Sequence, residues 1–231
     1  PIGSGLSSSA ALEVATAYAL AMTSDLKIER VELAKLCRRA ENEFVGARVG
    51  IMDQFVSFFG KTDKALMLDC RSLEFEHLPV PASAQLVICN TMVKHDLAAG
   101  AYNERRQQCE EGVELLRSAL PNVTALRDVT SQQLEVHRKE LPEVIYRRCR
   151  HVVTENERVL DAASALKQGD AAKFGQLMNQ SHQSLRDDYE VSCAQLDLMV
   201  GLARKVEGVF GARMTGGGFG GCTVNLVDSE K

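Results

Sequence analysis

Long apolar runs are absent from this chain: no stretch approaches the ~20 consecutive apolar residues of a membrane helix, and no basic start with an apolar core marks a secretory leader. The expected setting is the cytosol, with no membrane partner. Paired cysteines are absent too. Cys37, Cys70, Cys89, Cys109, Cys149, Cys193 and Cys222 are scattered, odd in number and never spaced C-x-x-C, which argues against a disulfide framework and a zinc site and predicts buried free thiols. A large excess of one sign of charge is lacking, and a formal net charge of −4 creates no global field for nucleic acid. The basic groups Arg105-Arg106 and Arg147-Arg148, with Arg150, fall in helical patterns and read as solvated helix faces. There is no repeat, no low-complexity tract and no initiating methionine. The first residues already form a loop of the kind that follows a strand, so the chain reads as part of a longer protein.

What remains is an ordinary globular composition, 231 residues with 45% apolar and 25% charged, enough for one large or two small domains. The chain opens on Pro1-Ile2-Gly3-Ser4-Gly5-Leu6-Ser7-Ser8-Ser9, running into an alanine-rich segment. Glycines permit close backbone approach, serines offer hydroxyls and a helix cap, and first-turn N–H groups at a positive dipole end suit an anion. Leu12, Ala15, Ala19 and Met22 share one face of the helix that follows. Leu33, Leu36, Cys37, Ala40 and Phe44 predict a second helix, with Glu41 and Glu43 off its stripe. Met52, Phe55, Val56 and Phe59 predict a third, with Asp53 in its first turn and Gly60 as its C-terminal stop. Strands are expected at 65–70 and 85–90, separated by Pro79 and Pro81. Three further helical stripes are Val113/Leu116/Leu120, Phe174/Leu177/Met178/Ser181/Leu185 and Leu196/Met199/Val200/Ala203.

A second glycine cluster, Gly216, Gly217, Gly218, Gly220 and Gly221, precedes the strand-like Thr223-Val224-Asn225-Leu226-Val227. It matches G-x-G-x-x-G formally, but a dinucleotide fingerprint needs a helix next, so a glycine hairpin that admits close approach is the better reading. Neither cluster ends in Gly-Lys-Ser/Thr, which excludes a Walker A loop. Taken together with Asp53, the two loops fit nucleotide-dependent phosphoryl transfer: backbone donors from Gly3 to Ser9, magnesium ligands in Ser9 and Glu41, and a base in Asp53. The alternatives at this level are an exposed helix charge for Glu41 and a dipole-favoured first-turn residue for Asp53.

The strings PIGSGLSSSA, GIMDQF, LDCRSLE, AYNERRQQCE, SLRDDYEVS and RMTGGGFGGCTV together resemble the galactokinase branch of the GHMP family of small-molecule kinases, over Pro1 to about Val227. The resemblance implies an α+β, two-lobed fold: an N-terminal lobe like ribosomal S5 domain 2 over 1–82, incomplete here, and a C-terminal α/β lobe with an antiparallel sheet over 83–231. It implies ATP binding at Gly3, Ser4, Gly5, Leu6, Ser7, Ser8 and Ser9, with Mg2+ on Ser9 and Glu41. Catalysis falls to Asp53 and sugar contact to Gly50, Asp53 and Tyr102, while Gly216 to Gly221 form a supporting loop. The implied reaction is ATP-dependent phosphorylation of the anomeric hydroxyl of α-D-galactose, by a monomeric cytosolic enzyme. A kinase of a related sugar such as N-acetylgalactosamine, or a sugar- and ATP-binding sensor, would share the same strings. The family's first motif, an arginine assisting the aspartate and a Glu-His-x-Asp stretch for the sugar hydroxyls, has no match here, nor do its last few C-terminal elements.

Overall fold

The computed structural model describes residues 5–93 and 98–231, so Gly3 and Ser4 of the opening loop lie outside the described residues. Helices α1 (Ser8–Thr23) and α2 (Arg30–Ala40) are followed by a π-helical turn, Glu41–Val45, and by α3 (Met52–Phe59). A hairpin of β1 (Lys64–Leu68) and β2 (Phe75–Pro79) leads to β3 (Ala84–Asn90) and the long α4 (Ala98–Arg117). Short α5 (Ser131–Val136), α6 (Glu143–Lys167), α7 (Ala171–Asp187) and α8 (Ala194–Ala203) precede β4 (Val209–Met214) and β5 (Cys222–Asp228). The second sheet is antiparallel with order β3-β5-β4, and α7 lies on β4 so closely that a Cβ on Gly211 would sit 2.0 Å from the Gly175 carbonyl oxygen. Mixed helices and antiparallel sheets match the expected α+β class.

The first three helices pack around Ala34, Ile51 and Phe55, with Leu66 and Leu68 of β1 against them. Their buried faces differ from the expected ones. In α1 the structure buries Ala10, Val14 and Ala21 and leaves Leu12 and Met22 70% and 66% exposed. The helix is apolar on more than one side, and its smallest side chains face α2 and α3, where close approach is possible. In α2 the buried face runs through Leu33, Ala34 and Cys37 to Glu41, while the π turn rotates Phe44 into solvent. In α3 Phe55 is buried as expected, but Met52 and Val56 are exposed and Gln54 takes an inward position. Gly60 does end α3, in an extended conformation rather than a left-handed one; a Cβ there would lie 2.8 Å from the Val56 carbonyl oxygen.

Strands β1, β3 and β5 fall within two residues of the expected runs, whereas β2 and β4 carry no alternation that the sequence reading used. Pro79 lies between the two expected runs but belongs to a strand of its own: it closes β2, opposite Lys64. The stripes of α4, α7 and α8 are inward, with Leu116, Leu177, Met178, Leu185, Leu196 and Val200 all buried. All seven cysteines are free, but only Cys37, Cys149 and Cys222 are buried and Cys70 is exposed, which corrects the expectation of uniformly buried thiols. No helix among the described residues is long and apolar enough to cross a membrane.

Candidate active site

Gly5 and Ser7 both adopt left-handed backbone, at φ 73° and 55°, and Ser7 occupies the N-cap of α1 without a side-chain cap bond. The expected serine cap is therefore absent at this position, and the hydroxyl does not compete with a ligand for the first-turn amides. Beyond it, Ser9 points across to the π turn, where its Oγ donates to Glu41 Oε1 at 3.0 Å. Glu41 is only 9% exposed, which sets aside the exposed-charge alternative. Its other oxygen, Oε2, accepts from Gln54 Nε2 at 2.7 Å, and the same amide donates to Glu13 Oε2 at 3.2 Å. Burial, with Glu41 nearby, pushes the Glu13 carboxyl above its usual range, while the Gln54 bond pulls it back.

Ser9 and Glu41 offer one hydroxyl and one carboxylate oxygen side by side. Magnesium takes octahedral oxygen ligands at about 2.1 Å, so two cis ligands stand about 3 Å apart. The observed Ser9–Glu41 separation matches that edge. No cluster of three or more His, Cys, Asp or Glu suited to a metal occurs among the described residues.

On the neighbouring side of α3, Asp53 sits half-buried in the first turn. Tyr102, in the second turn of α4, faces it: burial raises the phenol's pKa, Arg106 opposes the rise, the Asp53 charge adds to it, and a backbone hydrogen bond from Gly50 lowers it. A Cβ built on Gly50 would meet no heavy atom within 4 Å, so open space adjoins the pair. The second glycine cluster is a hairpin loop between β4 and β5, as its strand-like sequel predicts. It reaches both halves of the site. A Cβ on Gly217 would touch the Tyr102 ring at 3.7 Å, and one on Gly216, at φ 75°, would collide with the Gly5 carbonyl oxygen at 2.7 Å. The contact therefore demands glycine at 216, whereas a Cβ on Gly5 would lie at an ordinary 3.5 Å from the Thr215 carbonyl oxygen. Gly216→Ala should destabilise the fold by roughly 1–2 kcal/mol, the cost of a left-handed alanine, before the clash is counted. Thermal melting checks it, and an unchanged melting temperature would contradict the contact.

The basic residues read as solvated faces prove to be framework. Arg106 donates to the Arg48 carbonyl oxygen at 2.7 Å, and Asn103 Oδ1 accepts from the Arg48 N–H at 3.3 Å, which ties the loop carrying Gly50 to α4. Arg105 donates to the carbonyl oxygens of Tyr189 and Glu190 at 2.8 and 3.1 Å. Arg148, 2% exposed, donates to Gln108 Oε1 at 2.8 Å and to a Glu190 oxygen at 2.5 Å. Arg147 also pairs with Glu190, and Arg150 with Asp188. This clamp fixes the turn after α7, and Val191 at its end accepts from the Phe219 N–H of the glycine loop at 2.7 Å. The spacing alone could not show it, because a helix surface that meets solvent and one that meets a carbonyl-rich turn are both written in arginine.

Gln54 and Glu13 were not singled out from the sequence. Both carry a readable signal: Gln54 falls on the inward stripe of Ile51, Phe55 and Phe58, and Glu13 on that of Ala10, Ala17 and Ala21, so each is a polar residue on a packed face.

Residues 1–61 match the family model described as GHMP kinases N terminal domain, and residues 162–231 the one described as GHMP kinases C terminal, together more than half of the chain. The chain belongs to the GHMP kinase family. Among GHMP kinases, a galactokinase of Roseiflexus sp. (strain RS-1) is 52% identical over 99% of this chain and 58% of its own length. One of Chloroflexus aggregans is 52% identical over 100% of this chain and 59% of its own. The crystal structure of Lactococcus lactis galactokinase complexed with galactose superposes with a TM-score of 0.96, at 39% identity, over 100% of this chain and 60% of that one. The fold also matches L. major mevalonate kinase, at a TM-score of 0.59 and 21% identity over 97% of this chain and 58% of that one. The chain thus spans 58–60% of the length of the GHMP kinases it matches here.

Proposed function

We propose that the intact protein carrying this chain transfers the γ-phosphoryl group of ATP to the anomeric hydroxyl of α-D-galactose, giving galactose 1-phosphate. The observation that carries the reading is that one turn of α3 serves both halves of such a reaction. Asp53 faces Tyr102 and the open space at Gly50, and the adjacent Gln54 faces the Ser9–Glu41 pair. The likeness to galactokinases, one of them holding galactose, supports the choice of sugar. We place the lobe boundary near Ala82 and the protein, as a monomer, in the cytosol, where seven free cysteines stay reduced.

In this mechanism Asp53 accepts the proton of the attacking hydroxyl, and Tyr102 with the Gly50 loop positions the sugar. A carboxylate suffices as the base because the transition state is loose and the proton leaves late. The first-turn amides of α1 and the loop from Gly3 to Ser9 donate to the phosphates. Ser9 and Glu41 would hold Mg2+, which when bound neutralises charge that develops on the phosphoryl oxygens.

Incubating the intact protein with ATP, Mg2+ and galactose and following the phosphorus NMR signal tests the proposal. Appearance of a sugar 1-phosphate that forms faster from galactose than from N-acetylgalactosamine is expected. Formation of product from N-acetylgalactosamine alone, or no product from either sugar, would overturn it.

A further inference from the structure

Gln54 is fully buried, its side-chain amide lies between two carboxylates, and its Oε1 has no partner among the described residues. An amide group has two N–H donors, and ionised carboxylates only accept, so Glu13 and Glu41 dictate which way round the Gln54 side chain sits. With one donor spent on each acid, the amide separates two carboxylates that would otherwise repel across the same pocket. It also occupies Glu41 Oε2, which leaves Oε1 as the oxygen turned toward Ser9. Nothing in the packing alone asks for this. A methionine would fill the same volume next to Phe55, and an orphaned buried oxygen is a cost that apolar packing avoids.

We propose that Gln54 is a positioning residue which, braced on Glu13, fixes the rotamer of Glu41 so that Oε1 and Ser9 Oγ present one edge of a divalent-cation site. The inference rests on the reading of Ser9 and Glu41 as metal ligands. Groups that hold a ligand from behind are worth about 10–100-fold in metal affinity, so Gln54→Met should weaken binding by that factor without altering any atom that meets the ion. Glu13 is hydrogen-bonded to Gln54 and lies near enough to Glu41 for their charges to interact, and its removal should have a smaller effect in the same direction.

The test is Mn2+ binding to the intact protein in the presence of a non-hydrolysable ATP analogue, followed by electron paramagnetic resonance, which reads the ion's surroundings and not turnover. Gln54→Met is expected to bind Mn2+ about 10–100-fold more weakly with an altered bound-ion spectrum, while circular dichroism shows a retained fold. Unaltered affinity in Gln54→Met, alongside loss in Glu41→Gln, overturns the positioning role and leaves the ligand assignment standing. Unaltered affinity in Glu41→Gln and Ser9→Ala overturns the ligand assignment itself, and the inference with it. If Gln54→Met does not fold, Glu13→Ala decides: a partly exposed residue whose loss weakens Mn2+ binding supports the brace, and one whose loss leaves it unchanged refutes it.

Discussion

Asp53→Ala in the intact protein is expected to lower kcat by about 10²–10⁴-fold, the usual contribution of a positioned general base. The carboxylate lies in the first turn of α3 and is close enough to Tyr102 to raise its pKa, so it borders the space left open at Gly50. The methyl group of alanine neither accepts a proton nor disturbs the buried Phe55 two residues on. Thermal stabilisation by ATP should therefore survive, because the Ser9–Glu41 pair and the glycine loops are untouched. Turnover within tenfold of the unaltered protein would remove Asp53 from the proton transfer. Asp53→Asn is the sharper control, since it keeps shape and polarity and loses only basicity.

Arg148→Ala is expected to destabilise the fold by about 2–3 kcal/mol, because losing the buried guanidinium leaves Gln108 Oε1 and the Asp188 carbonyl oxygen without its donors, whereas Glu190 meets solvent and keeps Arg147. For a chain of this size that is on the order of 10 °C in melting temperature. The guanidinium meets Gln108, the Asp188 carbonyl oxygen and Glu190 at once, and no other side chain among the described residues reaches all three. A melting-temperature loss of less than about 2 °C would show that the clamp is decorative. Acid should act through the same contact. Arg148, and then Arg147, hold the Glu190 carboxyl below the usual glutamate range, against desolvation. A lowered folded-state pKa means stabilisation that is present above the unfolded value of about 4.3 and lost as pH falls through the folded one. In Glu190→Gln that acid-labile part of the stability should be missing, which melting curves between neutral pH and about pH 3 would reveal.

Much of the architecture is legible in the chain, and the failures have physical causes. Helices whose stripes mix large apolar residues with charge on the far side, such as α7 with Leu177, Met178 and Leu185, are read with the right face. Helix α1 is not, because alanine gives no contrast between faces and packing then selects the smallest side. The hairpin at the second glycine cluster is legible because β-branched residues follow it; β2, with Glu76, His77 and Pro79 in five residues, offers no such pattern. At the site, the residues bring forward Ser9, Glu41, Asp53 and the glycine loops, and the family resemblance adds Gly50 and Tyr102; the structure pairs Ser9 with Glu41 and sets Asp53 and Gly50 beside Tyr102. What the sequence hides is the pairing: the inward position of Gln54 and Glu13 is readable, but they and the arginines act through partners far away along the chain, such as Glu190, 42 residues from Arg148. No local period records such a partner.

The π turn from Glu41 to Val45, closed by the Gly46 N–H on the Glu41 carbonyl oxygen at 3.1 Å, makes this region sensitive to chain length more than to composition. It winds with one residue more per bonded ring than an α-helix does. Many substitutions along Asn42–Val45 would keep that winding, since most of these side chains face solvent. Deleting a single residue there would let the ring close as an ordinary α-helical turn, the lost residue being matched by the tighter winding, so that the chain is handed on in nearly the same direction. The segment leading to Gly50 would still reach its anchors on Asn103 and Arg106. Evolution can therefore vary the letters of this turn without changing its winding, and the loss of one codon within it is the change that converts one winding into the other.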